Sequence, residues 1–424
     1  MSEYVNIFEG SYNPFEALSI LLKNEKERVE KAIKTRGYFN PVDLSKKRPL
    51  TIGFAPGDGI GPIVAKAART ILETMLSSEI AKGEITVVEI PDLTIEKRLE
   101  LDVVAPQTSI DVIDRCDVIL KMPLETPDSS KYPNVPSANV WMRQYMDLFA
   151  CQRGIKNEEL GIDFTIFRCN LGTPYQDAKS AGVSFLNGQE EYALCFWPQS
   201  RIDIERLTHL ACVHAKEQSL KIDKLSLTPN GKEQSLTPAV VLNFKDNVIK
   251  PDAAALNWAK AYIDKNFPEV DYLSVKPDDF SYTVTQPSKL KSMRGEKTGK
   301  EFKLTTVVCN NIVGDMAGDE AGMYVGGIGG VGSANISFSQ GMFEAGGGTG
   351  TRMMLENRGH FASPVAVVKA TGELLDFIGY PVFKEKVFAA IDALTSENLV
   401  PNGGKNGITC EQATDFLLQK IKSA

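Results

Sequence analysis

Residues 50–76 read LTIGFAPGDGIGPIVAKAARTILETML, and the class of fold is decided in this stretch. Leu50-Thr51-Ile52-Gly53-Phe54-Ala55 is a short apolar run of strand length, PGDGIGP is a glycine-rich turn, and IVAKAARTILETML reads as a helix. A strand that passes through a glycine turn into a helix opens an α/β domain. The turn has no Walker lysine, which removes an ATP site of that kind. EITVVEI and CDVILKMPL continue the alternation as further strands with helical stretches between them.

Upstream, EALSILLKNEKERVEKAIK spaces apolar residues at helical intervals among charges, so the first 48 residues are expected to be helical in part before the polar stretch NPVDLSKKRP. Downstream the composition shifts near Met142, in MRQYMDLFACQRG, where a second domain is expected to begin. FTIFRCNLGT and a less regular region through residue 220 follow. PAVVLNF is a strand entering a loop at Lys245, AAALNWAKAYIDKNFPEV a helix ended by its proline, and KLTTVVCNNIVGD a strand leading into a glycine-dense block. SPVAVVKATGELLDFIG, FKEKVFAAIDAL and EQATDFLLQKIK read as closing helices.

The 424 residues are 43% hydrophobic and 24% charged, enough for two domains with full cores. A formal charge of −7 repels phosphate on average, so binding to nucleic acid or anionic membrane is not expected, and any anion site has to be built locally. Seven scattered cysteines without a CxxC pair, and three histidines, argue against zinc sites and a disulfide framework. No basic leader precedes an apolar run and no stretch suits a membrane span, so a reducing, cytoplasmic compartment is expected.

Several residue types can carry chemistry. Arg143, Arg153 and Arg168 would together suit a polycarboxylate, because the planar guanidinium binds both oxygens of each carboxylate; ordinary surface or structural ion pairs are the competing account. Asp315 and Asp319 in GDMAGDEAG stand four apart, so a helix would turn both to one face. They suit magnesium or manganese, or simply a helix N-terminus. Lys245, at a strand end, can be a proton carrier or a surface lysine, and Tyr175 in NLGTPYQD can donate a proton or only pack. Asp278 and Asp279, after Pro277, read in isolation as a solvated turn. Gly327-Ile328-Gly329-Gly330-Val331-Gly332 matches GxGxxG without a strand directly before it or a helix opening from it, so it is not a Rossmann fingerprint.

Taken in order, these motifs resemble the isocitrate and isopropylmalate dehydrogenase family from about Leu50 to the C-terminus. PGDGIGP is similar to the family's PGDGIGPE, with Ile63 where glutamate is usual. LKMPLETP resembles LKGP…TP and implies Thr126 near the nicotinamide; PSANVWMRQYMDLFACQR implies Ser137, Asn139, Arg143 and Arg153 as substrate contacts. FRCNLGTPY implies Arg168 for substrate and Tyr175 for proton transfer, and FKDN implies Lys245 as the second acid-base residue, with Asn247 nearby. GDMAGDEAG resembles GDxxSD and implies Asp315 and Asp319 as metal ligands, the third coming from a partner subunit as Asp279 or Asp278. Ser137 and Asn139 resemble the isocitrate branch, whose substrate has a third carboxylate, where the isopropylmalate branch is apolar.

The cofactor loop departs most. GGGTGTRMMLENRGHFASP stands where the family has HGT and a short run to NP, so Gly347 replaces histidine and Ser363 asparagine. His360 is either a partial replacement or a surface residue. Gly348, Thr349, Arg352 and Ser363 are the implied contacts, and Arg352 falls where NADP-using members carry a cation for the 2′-phosphate.

The resemblance implies a two-domain α/β fold with a large mixed sheet flanked by helices. Residues 49–148 with 326–424 would form the large, cofactor-side domain, and 149–325 a small domain with a dimer-contact segment near 180–235, after an N-terminal extension of 1–48. The implied enzyme is a homodimer with shared active sites that oxidatively decarboxylates isocitrate to 2-oxoglutarate and carbon dioxide, using NADP and Mg2+ or Mn2+. Homoisocitrate, isopropylmalate or tartrate as substrate, with NAD possible, and a non-catalytic paralogue are the alternatives.

Overall fold

A computed structural model describes residues 14–36, 41–128, 131–132, 135–172, 181–186, 189–223, 237–284, 286, 293–325, 327 and 330–423. Among these, residues 32–148 with 328–424 supply one compact unit, and 14–31 with 149–327 the other.

The first element among the described residues is α1 (Pro14–Arg36), whose Arg28 pairs with the buried Asp203. The first unit then runs β1 (Leu50–Ala55), α2 (Gly61–Met75), α3 (Ser77–Ala81), β2 (Ile85–Glu89), α4 (Ile95–Leu101), α5 (Gln107–Ile113), β3 (Val118–Lys121) and α6 (Ala138–Tyr145). The second unit comprises the antiparallel pair β4 (Ala150–Asn157) and β5 (Ile162–Cys169), the hairpin β6 (Ala181–Leu186) and β7 (Gln189–Cys195), and α7 (Arg201–Asp223). It continues through β8 (Ala239–Asn243), α8 (Lys250–Asn266), β9 (Asp271–Val275), α9 (Pro277–Val284), the short ribbon β10 (Met293–Arg294) and β11 (Glu301–Phe302), β12 (Thr306–Cys309) and α10 (Asn311–Gly322). The chain returns to the first unit with β13 (Gly332–Ile336), β14 (Gly341–Ala345), α11 (Thr351–Leu355), α12 (Val365–Phe377), α13 (Pro381–Ser396) and α14 (Cys410–Ser423).

Each unit is built on mixed strands. In the first, the order β2-β1-β3-β14-β13 is parallel except for the antiparallel β13–β14 pair. In the second, β4-β5-β12-β8-β9 is parallel except for β4–β5. Strands covered on both faces cannot alternate polar and apolar residues, and β3, β8 and β12 are buried at every position. α12 covers β13 and β14 and packs on α2 and α13, which explains its near-continuous apolar sequence. α7 lies on β5, β8 and β12, and α10 on β5.

Two expectations fail here. The stretch read as irregular through residue 220 contains the hairpin and a 23-residue helix. α7 turns Asp203, Arg206 and Thr208 inward with Ile202, Ile204 and Leu207, so its buried face lacks a clean apolar period. Asp278 and Asp279 occupy the first turn of α9, where carboxylates complement the helix N-terminus, in place of a solvated turn.

The parallel strands β5, β8, β9 and β12 deliver their carboxyl ends to one edge of the second unit. Arg168, Lys245, Asp278 and Asn311 sit at or just beyond those ends. Ligands of open α/β sheets bind at that edge.

Candidate active site

In β4 and β5, Cys151 faces Arg168 across the ladder, and Arg153 lies two residues further on. Residues two apart share a face, so both guanidinium stems point to the side covered by α10. Asn310 caps that helix, its side-chain oxygen accepting from the Val313 amide at 2.9 Å. Asp315 and Asp319 then stand one above the other, as their spacing requires. Arg153 Nη1 donates to Asp319 Oδ1 at 3.2 Å and Nη2 to Asp315 Oδ1 at 3.3 Å, while Arg168 Nη1 donates to Asp315 Oδ1. Arg168 Nε and Nη2 donate to Asn311 Oδ1 at 2.9 and 2.7 Å, fixing the plane of the fork. The close approach depends on glycine: a Cβ on Gly318 would lie 2.5 Å from Arg153 Nη1, and one on Gly314 would lie 2.7 Å from Arg168 Cβ.

This arrangement is neutral in sum, with the arginine side chains 7% and 3% exposed and the aspartates 30% and 48% exposed. The cations therefore lie beneath and the carboxylates face outward. Burial and the neighbouring Asp315 push the Asp319 carboxyl above its ordinary range against the pull of Arg153. Asp315 Oδ2 and Asp319 Oδ2 accept no hydrogen bond among the described residues, leaving two hard oxygens on one helix face. That donor set fits a divalent cation completing its shell with water, substrate or another chain's carboxylate. No group of three His, Cys, Asp or Glu side chains able to hold a metal occurs among the described residues. Burial pushes the Cys169 and Cys309 thiols beside this cluster up to about 12, so neither is a nucleophile near neutrality.

Lys245 follows β8, and its Nζ donates to Asp278 Oδ1 at 2.6 Å, which holds Asp278 below the usual carboxylate range. The lysine thus has a partner that its sequence neighbourhood did not disclose. Tyr175 lies outside the described residues.

In the first unit, Lys121 and Glu344 are register partners on β3 and β14. Lys121 Nζ meets Glu344 Oε2 at 2.6 Å, and Arg143 Nη2 and Asn335 Nδ2 reach Oε1 at 2.9 and 2.7 Å. Burial alone would raise the Glu344 carboxyl, but Lys121 and Arg143 hold it far below the usual range. Asn139 is engaged in the same network, accepting from Lys121 Nζ at 2.8 Å and donating to the Leu124 carbonyl at 3.1 Å. Sequence reading missed Lys121 and Glu344; the available signal was a lysine and a glutamate inside apolar strands, where an unpaired charge is too costly to bury. Ser137 Oγ accepts from Thr126 Oγ1 at 3.0 Å, joining the loops that carry the two residues.

The PGDGIGP loop lies on the later glycine loop. Ile60 N donates to the Thr349 carbonyl at 2.9 Å, and a Cβ on Gly59, at φ 59°, would stand 2.1 Å from that oxygen. Gly348 faces open space. Arg352 is exposed on α11 and pairs with Glu356 at 2.7 Å, and Glu356 also takes Arg358, so two cations share one carboxylate. Ser363 Oγ accepts from Val365 N at 3.3 Å at the start of α12, and His360 is exposed. An outward cation above a glycine-lined backbone fits a phosphate-bearing cofactor. No helix of the described residues is long and apolar enough to cross a membrane.

The family model for isocitrate/isopropylmalate dehydrogenase matches residues 51–416. An isocitrate dehydrogenase [NADP] of Streptococcus salivarius is 23% identical over 86% of this chain and 92% of its own length. A homoisocitrate dehydrogenase of Methanocaldococcus jannaschii is 24% identical over 86% of this chain and 97% of its own. The crystal structure of isocitrate dehydrogenase from Methylococcus capsulatus superposes with a TM-score of 0.69 at 20% identity, covering 88% of this chain and 99% of that one. With a family match across most of its length, the chain belongs to the isocitrate/isopropylmalate dehydrogenase family, whose members are oxidative decarboxylating dehydrogenases.

Proposed function

We propose that the protein oxidatively decarboxylates isocitrate to 2-oxoglutarate and carbon dioxide, with NADP as acceptor and Mg2+ or Mn2+ as resident cation. The observation that carries this reading is the pair of outward carboxylates, Asp315 and Asp319, seated on two buried arginine forks. Arg153 and Arg168 hold carboxylates of the acid, with Arg143 assigned the same task. Ser137 and Asn139 serve the third carboxylate that separates isocitrate from isopropylmalate. Asp315 and Asp319, with Asp279 or Asp278 of a second copy, would hold the cation, which would supply Lewis acidity for the oxidation and the decarboxylation. Thr126 would face the nicotinamide of NADP, which would supply the hydride acceptor.

Loss of carbon dioxide from the carboxylate β to the new carbonyl leaves an enolate, and Tyr175, supported by Lys245, delivers the proton to its carbon. Lys245 is suited to that support because Asp278 keeps its ammonium oriented. Lys245 and Asp278 are adjacent in one chain, so both would enter the site of a dimer partner together. NADP is favoured by Arg352, whose side chain is 87% exposed.

A second reading, an NAD-linked enzyme of the same family acting on homoisocitrate, isopropylmalate or tartrate, has one observation in its favour: Glu356, between two arginines, could accept from a ribose diol. Initial rates on the four acids, each with NADP and with NAD, separate the two. Isocitrate with NADP is expected to give the highest kcat/KM. Faster turnover of another acid contradicts the substrate assignment, and an NAD preference contradicts the role of Arg352.

A further inference from the structure

Asp252 lies in the first turn of α8 and is fully buried, yet its carboxylate is met by neutral donors. Oδ1 accepts from the Trp197 indole, the Gln199 amide and the Asn310 amide, each at 3.0 Å. Oδ2 accepts from the Lys245 backbone amide at 3.0 Å and again from Asn310 at 2.8 Å. Removing a carboxylate from water is costly unless hydrogen bonds replace its hydration, and here donors converge on both oxygens. Such a setting suits a group that only accepts, and an amide in its place would turn a donor towards donors.

Two of these partners lead to the candidate site. Asn310 gives its amide N–H groups to Asp252 while its oxygen caps α10 at Val313 N, 2.9 Å away. The start of the helix bearing Asp315 and Asp319 is thereby tied to Asp252. Lys245 is held at its amide by Asp252 and at its carbonyl by the Ile249 amide at 3.0 Å, and its side chain leaves this clip to reach Asp278. We propose that Asp252 is a positioning residue of the active site: one buried carboxylate sets both the helix that presents the metal-binding aspartates and the backbone from which Lys245 projects. The proposal takes the roles of those three side chains from the functional reading above.

The test compares Asp252→Asn with Asp271→Asn in the full chain. Asp271 is also buried and collects Tyr272, Lys297 and Thr298 donors, but it stands at the far end of β9 from Asp278. Three quantities are measured: the Mn2+ dissociation constant without substrate, the pH profile of kcat with isocitrate and NADP, and Tm. Asp252→Asn is expected to weaken Mn2+ binding and to lower kcat by about 10–100-fold each, the range for residues that orient metal ligands. It should also displace a limb of the pH profile, while Asp271→Asn lowers Tm and leaves the other two quantities at parent values.

Parent-like Mn2+ affinity and pH profile in folded Asp252→Asn would overturn the proposal, as would equal changes in Asp271→Asn. If Asp252→Asn does not fold, Asn310→Ala cuts the same tie from the helix side. Its Mn2+ binding is then expected to weaken with the pH profile of kcat unmoved, and parent-like binding overturns the proposal. A parent chain that binds Mn2+ but oxidises no hydroxy acid contradicts the functional reading alone, and the metal titrations of the variants still decide the role of Asp252. A parent that binds no Mn2+ contradicts both.

Discussion

The arginines show how far a residue's type fixes its task. Arg168 uses its fork on Asn311 and Asp315 together, which an ammonium on a flexible stem cannot reproduce. Arg168→Lys is therefore expected to raise KM for the hydroxy acid by about 10–100-fold, or ~1.4–2.8 kcal/mol, with a smaller change in kcat. An unchanged KM would remove Arg168 from substrate binding. The Lys121–Glu344–Arg143 network makes a prediction about pH. The folded Glu344 carboxyl lies below the ~4.3 of an unfolded glutamate, so its contribution to stability is complete above about pH 4.3 and lost as pH falls towards the folded value. Glu344→Gln leaves Lys121 buried without its counter-charge and should cost ~3–5 kcal/mol near neutrality. Its Tm should also fall less steeply than the parent's below pH 4, and parallel Tm curves would contradict the assignment. Arg143 was legible as a candidate from the SxNxxxR motif. Its partner was not, because Glu344 lies some two hundred residues away and is set beside Lys121 only by the pairing of β14 with β3.

Elements were legible where one face is plainly apolar, as in the strand, turn and helix of residues 50–75, and least legible where polar groups are buried. α7 is the instructive case: Asp203 is neutralised by its neighbour Arg206 and by Arg28 of α1, and no local window of sequence contains the second pairing. α10 depends on glycines whose value could not be read without its neighbours. A Cβ on Gly318 meets the movable end of Arg153, whereas one on Gly314 meets Arg168 Cβ and Cγ at 2.7 and 2.8 Å and Cys309 Cβ at 3.1 Å. Gly314→Ala should accordingly lose ~1–3 kcal/mol of stability by overpacking. Gly318→Ala should keep most of its stability and lose substrate affinity as Arg153 is displaced from Asp319. Chemical denaturation and KM measured on both variants check this contrast, and the reverse pattern would refute it.

For the whole molecule, the proposed shared site makes a prediction about mixtures. If Lys245 serves a site whose Asp315 belongs to the other copy, Lys245→Met and Asp315→Asn are each inactive alone. A hybrid dimer then regains one intact site. Random exchange makes half of the dimers hybrid, each with one working site of two, so the mixture should recover about a quarter of parental activity. No recovery after proven exchange would place both residues in one chain's site. Six ordered motifs made the family legible before any coordinate, whereas the choice of acid rests on Ser137 and Asn139 and the choice of cofactor on Arg352, a few contacts in otherwise common machinery. The most direct test of the central claim is the initial rate of NADPH formation from isocitrate, with carbon dioxide measured in parallel, before and after chelation. Equimolar NADPH and carbon dioxide, abolished by the chelator and restored by Mn2+, is the predicted result; a folded, metal-loaded protein that forms neither product would contradict it.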